Sequence, residues 1–195
     1  MPRVNRSSER RADVLPALAR TFSELGYRRA TTAQLAARCG LTEVALYRIF
    51  ADKRAMFLAA IEYVYDTSMI AWEKLLVATD DRSPAERLLE HESVHHGEFG
   101  LYRLVFAGLS ETDDQEIRDA LARMYRRYFE FVARRIDEHR RGAAGPDCAA
   151  AAWALIGMGT MSSIGKELGT INAAERRHLW TQAGAALLGS RKKKA

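Results

Sequence analysis

Between Thr31 and Phe50 the chain reads TTAQLAARCGLTEVALYRIF, and its spacing leaves few folds open. Thr31 with Gln34 three residues on fits a capping box, in which a helix start satisfies its own orphaned donors. A short helix from Ala33 to Cys39 then carries Leu35 and Ala36. Gly40 follows as a turn residue able to take positive φ. Thr42 caps a second short helix that ends near Phe50. A side chain as small as Ala36 lets the two helices cross closely. The spacing therefore predicts a helix-turn-helix, with Leu35, Leu46 and Ile49 buried against the preceding helix through Leu18 and Phe22. Thr42, Glu43, Val44, Ala45, Tyr47 and Arg48 are left facing outward. A helix packed on protein along one side and lying on a polyanion along the other wants this mixture, and the second helix of such a motif enters the DNA major groove.

The surrounding sequence predicts an all-α chain of about nine helices. Alanine, leucine, arginine and glutamate dominate, and alternating β-branched runs are absent. Residues 1–11 read as a flexible basic arm carrying Arg3, Arg6, Arg10 and Arg11. A helical face of Val14, Leu15, Leu18, Ala19, Phe22 and Leu25 follows and stops at Gly26. Pro16 falls inside it, so the helix either starts near Asp13 or kinks at the proline. Asp52 caps a long helix from Lys53 to about Val77. Ser83-Pro84-Ala85-Glu86 combines an N-cap, a proline at the first helical position and a capping-box glutamate, opening a helix to about His96. Further helices are expected over 101–109, from Thr112 to Arg140, and over 148–168 and 173–189, the last capped by Asn172 with Glu175. We expect a DNA-binding domain over 1–54 with its helix-turn-helix at 32–50, a larger helical domain over 55–190, and a basic tail, 191–195.

Charge follows this division. Residues 1–54 hold 11 Lys and Arg against 5 Asp and Glu, whereas 55–190 hold 15 against 20. A basic first quarter on an acidic body suits a segment that meets an anion. Cys39 and Cys148 have no metal-type spacing, and a reducing cytoplasm fits them. No secretory h-region precedes the first helix. The apolar stretch 148–165 is short for a membrane span and broken by Thr160, Ser162 and Ser163, so we expect a buried helix there and no membrane partner.

The block FSELGYRRATTAQLAARCGLTEVALYRIFADKRAMF, residues 22–57, resembles the TetR family of transcriptional regulators. Phe22, Gly26-Tyr27, Thr31-Thr32, Leu35-Ala36, Gly40, Leu46-Tyr47, Phe50 and Lys53 carry the resemblance in order and spacing. It implies a homodimer whose subunits each have three N-terminal DNA-binding helices and a C-terminal domain for ligand binding and dimerisation. It also implies phosphate contacts from Thr32, Tyr47 and Lys53, whose hydroxyl, phenol and ammonium are suitable donors. Arg48 is open to guanine or to phosphate. The chain departs from the family at Glu43 and Val44, where many members carry a neutral or basic residue and a small one. Valine can press on a thymine methyl, and glutamate can accept from cytosine or face solvent.

In the body, aromatic residues at helical spacing are ordinarily core. By resemblance some line an effector cavity: Tyr65, Trp72, His95, Phe99, Tyr102, Phe106, Tyr125 and Phe129 are the candidates. His91 and His95 share a helix face at a spacing that can hold a transition metal, with His96 and Glu98 near. No further ligand group stands out, so we expect surface or pocket histidines and neither metal nor cofactor. Phosphate loops, nucleophile elbows and zinc-protease motifs are missing, which argues against an enzyme. Trp153, Ile156 and Ile164, with Leu179, Ala183 and Leu187, form the expected dimer seam of two helices per subunit. The reading is a cytoplasmic, ligand-responsive repressor that binds a palindromic operator as a dimer, with a small-molecule effector. The alternative is a small-molecule-binding or protein-interaction module whose helix-turn-helix does not read DNA.

Overall fold

A computed structural model describes residues 6–77, 80–97, 102–143, 145 and 147–191, with side chains from Arg10 onward. The described residues are all-α: α1 (Arg6–Leu25), α2 (Thr32–Arg38), α3 (Glu43–Tyr47), α4 (Lys53–Leu76), α5 (Pro84–His95), α6 (Tyr102–Leu109), α7 (Gln115–Arg140), α8 (Cys148–Leu168) and α9 (Ala173–Leu179). A π-helical turn (Trp180–Gly184) leads from α9 into α10 (Ala185–Leu188). Two compact units are formed, one from residues 1–68 with 99–124, the other from 69–98 with 125–195.

In the first unit α1 packs on α2 and α6, and α2 on α3. Leu18, Phe22, Leu35, Leu46 and Phe57 are fully buried. Phe22 meets Phe57 edge-on at a centroid distance of 4.9 Å, and Tyr27 lies 4.9 Å from the same ring. Ion pairs from Arg28 to Glu111 (2.9 Å) and from Arg54 to Asp114 (3.4 Å) and Glu116 (3.1 Å) rim this core.

One expectation for α1 needs correction. Residues 6–11 are helical rather than part of a flexible arm, so the helix starts well before Asp13, with Pro16 inside it. SSERRAD contains no breaker, and Pro16 lies on the exposed face. Water can reach the Ala12 carbonyl that loses its N–H partner there, so the proline is tolerated.

The second unit is built around Ala85, Ile136, Ala151, Ala152 and Leu188. Three arginines cap the C-terminal carbonyls of three helices there, groups that a helix leaves without partners of its own. Arg87, only 6% exposed, donates Nε to Leu75 O (2.6 Å) and Nη2 to Leu76 O (3.3 Å) at the end of α4. Arg140, 4% exposed, donates Nε to Leu188 O (2.9 Å) and Nη2 to Leu187 O (2.7 Å). Arg176 reaches Val94 O (2.7 Å) and His96 O (3.2 Å) beyond α5. Beside Arg140, buried His139 donates Nε2 to Gly189 O at 3.1 Å, and its Nδ1 takes the Ser83 hydroxyl at 2.7 Å.

The helix expected over 173–189 is not regular. Trp180, Gly184 and Leu188 are all buried. In an α-helix four residues turn through about 400°, so such a row drifts around the axis. The wider π turn holds the row to one face. Gly184 lets Leu89 pack closely there: a Cβ would come 2.3 Å from Leu89 Cδ1, and that side chain would have to shift. Nor is α8 buried all round. Its small residues Ala151, Ala152, Gly159, Ser162, Ser163 and Gly165 face the core, while Trp153 (70% exposed), Met161 (63%) and Leu168 (70%) point outward. By length and composition α8 is the one helix among the described residues long and apolar enough to cross a membrane.

Candidate nucleic-acid interface

The helix-turn-helix forms as its spacing predicts. The Thr31 hydroxyl accepts from Gln34 N, and the Gln34 side chain accepts from Thr31 N, closing the capping box. Gly40 takes φ +67°, the left-handed corner that favours glycine. The Thr42 hydroxyl accepts from Ala45 N at 3.2 Å to start α3. Leu46 and Phe50 are buried, with Leu41 and Ile49 half-buried behind them. This leaves Thr42, Glu43, Val44, Tyr47 and Arg48 exposed, with Ala45 half-buried among them; Val44 is 64% and Tyr47 46% accessible. Val44 is thus an apolar side chain that the core of the domain does not use.

Lys53 opens α4. Its ammonium lies 4.7 Å from the Tyr27 ring centroid and donates to Ala30 O (3.1 Å) and Arg28 O (3.5 Å). Those carbonyls fix where the charge stands, at the edge of the same motif. An ammonium has three donors, and these carbonyls take two of them. Thr32 behaves otherwise. Its hydroxyl donates to Glu43 Oε2 at 2.7 Å, bridging the first residues of α2 and α3. The sequence places both residues near the DNA but gives no sign that they pair. Of the basic N-terminal residues, Arg10 and Arg11 are exposed on α1, with the Arg11 guanidinium 5.0 Å from the Phe50 ring centroid. Arg3 and the tail lysines 192–194 lie outside the described residues, as does Phe99.

The other cavity candidates divide between the two units. In the first, Tyr65 is buried, and Tyr102 stands edge-on to Phe106 at 5.9 Å. In the second, Trp72 stacks on Phe131 at 5.5 Å and lies 5.4 Å from Tyr128. Tyr125 is half-buried, and burial pushes its phenol up against a hydrogen bond with Thr160. Phe129 packs on the apolar cluster, and His95 is exposed. The His91 and His95 rings are 4.7 Å apart, and no group of three metal-ligating side chains gathers among the described residues. Of the seam candidates, Trp153, Leu179 and Ala183 are exposed, while Ile156, Ile164 and Leu187 are half-buried.

Sequence reasoning missed a polar chain inside the second unit. Trp72 Nε1 donates to Glu92 Oε1 at 2.7 Å, and His96 Nδ1 donates to Glu92 Oε2 at 2.7 Å. His96 Nε2 lies 3.1 Å from Ser163 Oγ, and the His96 ring lies 5.5 Å from Trp180, whose Nε1 donates to Ser162 Oγ at 3.0 Å. Burial pushes the Glu92 carboxyl up, but the His96 and Trp72 hydrogen bonds outweigh it and hold the group below its ordinary range. The i,i+4 spacing of Glu92 and His96 was the available signal; Trp72, Ser163 and Trp180 join from distant helices.

Comparison with known proteins agrees with this geometry. Residues 14–60 match the bacterial regulatory proteins of the tetR family. A 126-residue stretch is 30% identical to the nucleoid occlusion factor SlmA of Vibrio campbellii, covering 63% of this chain and 64% of that protein. The match thus spans just under two thirds of that curated relative. The TetR-family transcriptional regulator of Cytophaga hutchinsonii superposes with a TM-score of 0.78 at 19% identity, over 98% of this chain and 100% of that one. AibR, solved with isovaleryl coenzyme A and operator DNA, gives a TM-score of 0.57 at 22% identity, over 76% and 83% of the two chains. Residues 14–60 thus match the N-terminal domain of tetR-family regulators, and the chain as a whole shares the fold of solved TetR-family structures.

Proposed function

We propose that the chain is a homodimeric, cytoplasmic transcriptional repressor that reads a palindromic operator through α3 and releases it on binding a small effector. The observation that carries this reading is the exposed row Thr42, Glu43, Val44, Tyr47 and Arg48 on a helix whose opposite side is sealed by Leu46 and Phe50. Tyr47 and Lys53 hold phosphate, while Val44 and Arg48 meet base edges. Trp153, Met161 and Leu168 on α8, with Leu179 and Ala183 on α9 and the π turn, supply the apolar surface for a second copy. Two-fold symmetry would set two α3 helices about one DNA turn apart. An effector acts by favouring a dimer whose readers are spaced differently. The aromatic group Trp72, Tyr128 and Phe131, beside the half-buried Glu92 carboxylate, is a surface of the second unit suited to a small organic ligand.

The test is a mobility-shift titration of genomic fragments with excess competitor DNA, paired with light scattering at micromolar protein. A retained sequence-specific complex and a dimer mass support the proposal. A monomer that binds all fragments alike contradicts it. The SlmA alignment favours one second reading, in which the chain marks chromosomal DNA rather than controlling promoters. Mapping bound sites across the genome separates the two: promoter-restricted sites fit a repressor, and sites dispersed through coding regions fit the second reading.

A further inference from the structure

The hydrogen bond between Thr32 and Glu43 decides what each can do at DNA. A threonine hydroxyl has one proton to donate. Here it goes to Glu43 Oε2 at 2.7 Å, the length of a charge-assisted O–H···O⁻ bond. While that bond stands, Thr32 cannot also donate to a phosphate. The bond instead fixes an exposed carboxylate on the first residue of α3, with Oε1 left to accept. A carboxylate so placed is repelled by the phosphate backbone and is stable against DNA only where a base offers it a donor.

In the major groove, guanine shows two acceptors and thymine an acceptor and a methyl, so both repel a carboxylate. Adenine offers its N6 amine but sets the N7 acceptor beside it on the same base. Cytosine offers N4–H with no acceptor of its own alongside. Resting on the DNA-binding reading above, we infer that Glu43 is a specificity residue that selects cytosine at one position of each half-site, and that Thr32 is its positioning residue rather than a phosphate ligand. Glu43 also weakens binding to DNA that lacks this cytosine, because guanine and thymine offer its charge no donor and adenine sets an acceptor beside the one it offers. The departure from the family at Glu43 thus becomes a discriminating element of this chain.

The test is selection from a randomised duplex pool with the full-length wild type, followed by affinity measurements on the enriched site and its single-base variants. Glu43→Gln, Thr32→Val and Thr32→Ser are measured beside the wild type. Both sites are on the surface of a folded motif, and thermal melts confirm that each variant is folded. Wild type is expected to prefer cytosine at one half-site position by roughly tenfold. Glu43→Gln removes that preference and tightens binding to non-operator DNA. Thr32→Val lowers the cytosine preference severalfold with an unchanged salt slope, and Thr32→Ser restores it. Adenine selected at that position in place of cytosine overturns the base assignment. If Glu43→Gln leaves every base preference unchanged, Glu43 does not read sequence, and if Thr32→Val weakens all sequences equally, Thr32 is a phosphate ligand; either result makes the inference fall alone. If wild type enriches no sequence, the DNA-binding reading fails and takes this one with it.

Discussion

The two units finish their helices in different ways. In the first unit the starts are closed from nearby in sequence, by Thr31 with Gln34, Thr42 with Ala45, and Asp52 Oδ1 accepting from Ala55 N at 2.7 Å, and so is the C-terminus of α1, where Arg29 Nε donates to Leu25 O at 2.9 Å. In the second unit the helix starts are local too, at Ser83, Asp147 and Asn172, but its C-terminal carbonyls wait for arginines that arrive from elsewhere. Arg140 reaches 47 residues along the chain to Leu187, and Arg176 reaches 82 residues back to Val94. A DNA reader must hold one rigid shape, and local closure provides it. Arginines reaching between helices tie elements of the second unit to one another.

The comparison can be broken most severely in the apolar core of the reader. Phe22→Ala removes a fully buried ring that packs on Phe57, and should cost about 4 kcal/mol in chemical denaturation. In the second unit the matching experiment is Arg87→Met, which keeps the stem and removes the donors. It leaves the carbonyls of Leu75, Leu76 and Arg82 short of partners, and should cost about 3 kcal/mol. A loss below about 0.5 kcal/mol would mean that water caps α4 equally well and that the contrast between the units is only descriptive.

Glu92→Gln is gentler. The amide still accepts from Trp72 but is a poorer partner for His96, so a loss of about 1–2 kcal/mol is expected at neutral pH. The folded Glu92 carboxyl lies below its ordinary range, so its contribution is complete above the unfolded value and fades as pH falls through the folded one. Wild type should therefore lose its advantage over Glu92→Gln on acidification; a difference that stays constant down to acid pH would show that the carboxylate charge is not involved. Thr42→Ala removes the α3 cap and should cost about 1 kcal/mol, with a larger proportional loss of DNA affinity than of stability. The smallest effect is at Asp80, held down to about 2 by hydrogen bonds from Arg82 and Arg87. Its ion pairs should persist as pH falls through the ordinary carboxylate range and open only near pH 2, which the side-chain carbon shift of Asp80 reports by NMR.

The same contrast explains what was legible in the sequence. Capping boxes, proline starts and glycine corners are written within a few residues of each other, so the all-α class, the helix-turn-helix and most helix bounds could be read directly. The start of α1 well before Pro16 could not, because tolerance of a helical proline depends on which face is wet. The π turn escaped because Trp180, Gly184 and Leu188 reveal a shared face only once Leu89 lies against them. At the reader, sequence gave the outward row on α3 and the position of Lys53, yet the Thr32–Glu43 bond joins side chains from two helices and has no signature in either. The arginine caps and the Trp72–Glu92–His96–Ser163 chain were hidden for the same reason: they are properties of packing, not of spacing.

The central claim is that α3 reads DNA. Its most direct test is a fluorescence-anisotropy titration of a duplex selected by the wild type, comparing wild type with a Tyr47→Ala, Arg48→Ala double variant. Both side chains are exposed, so melting temperature should hold while operator affinity falls by at least tenfold. Unchanged affinity in the folded double variant would contradict the account.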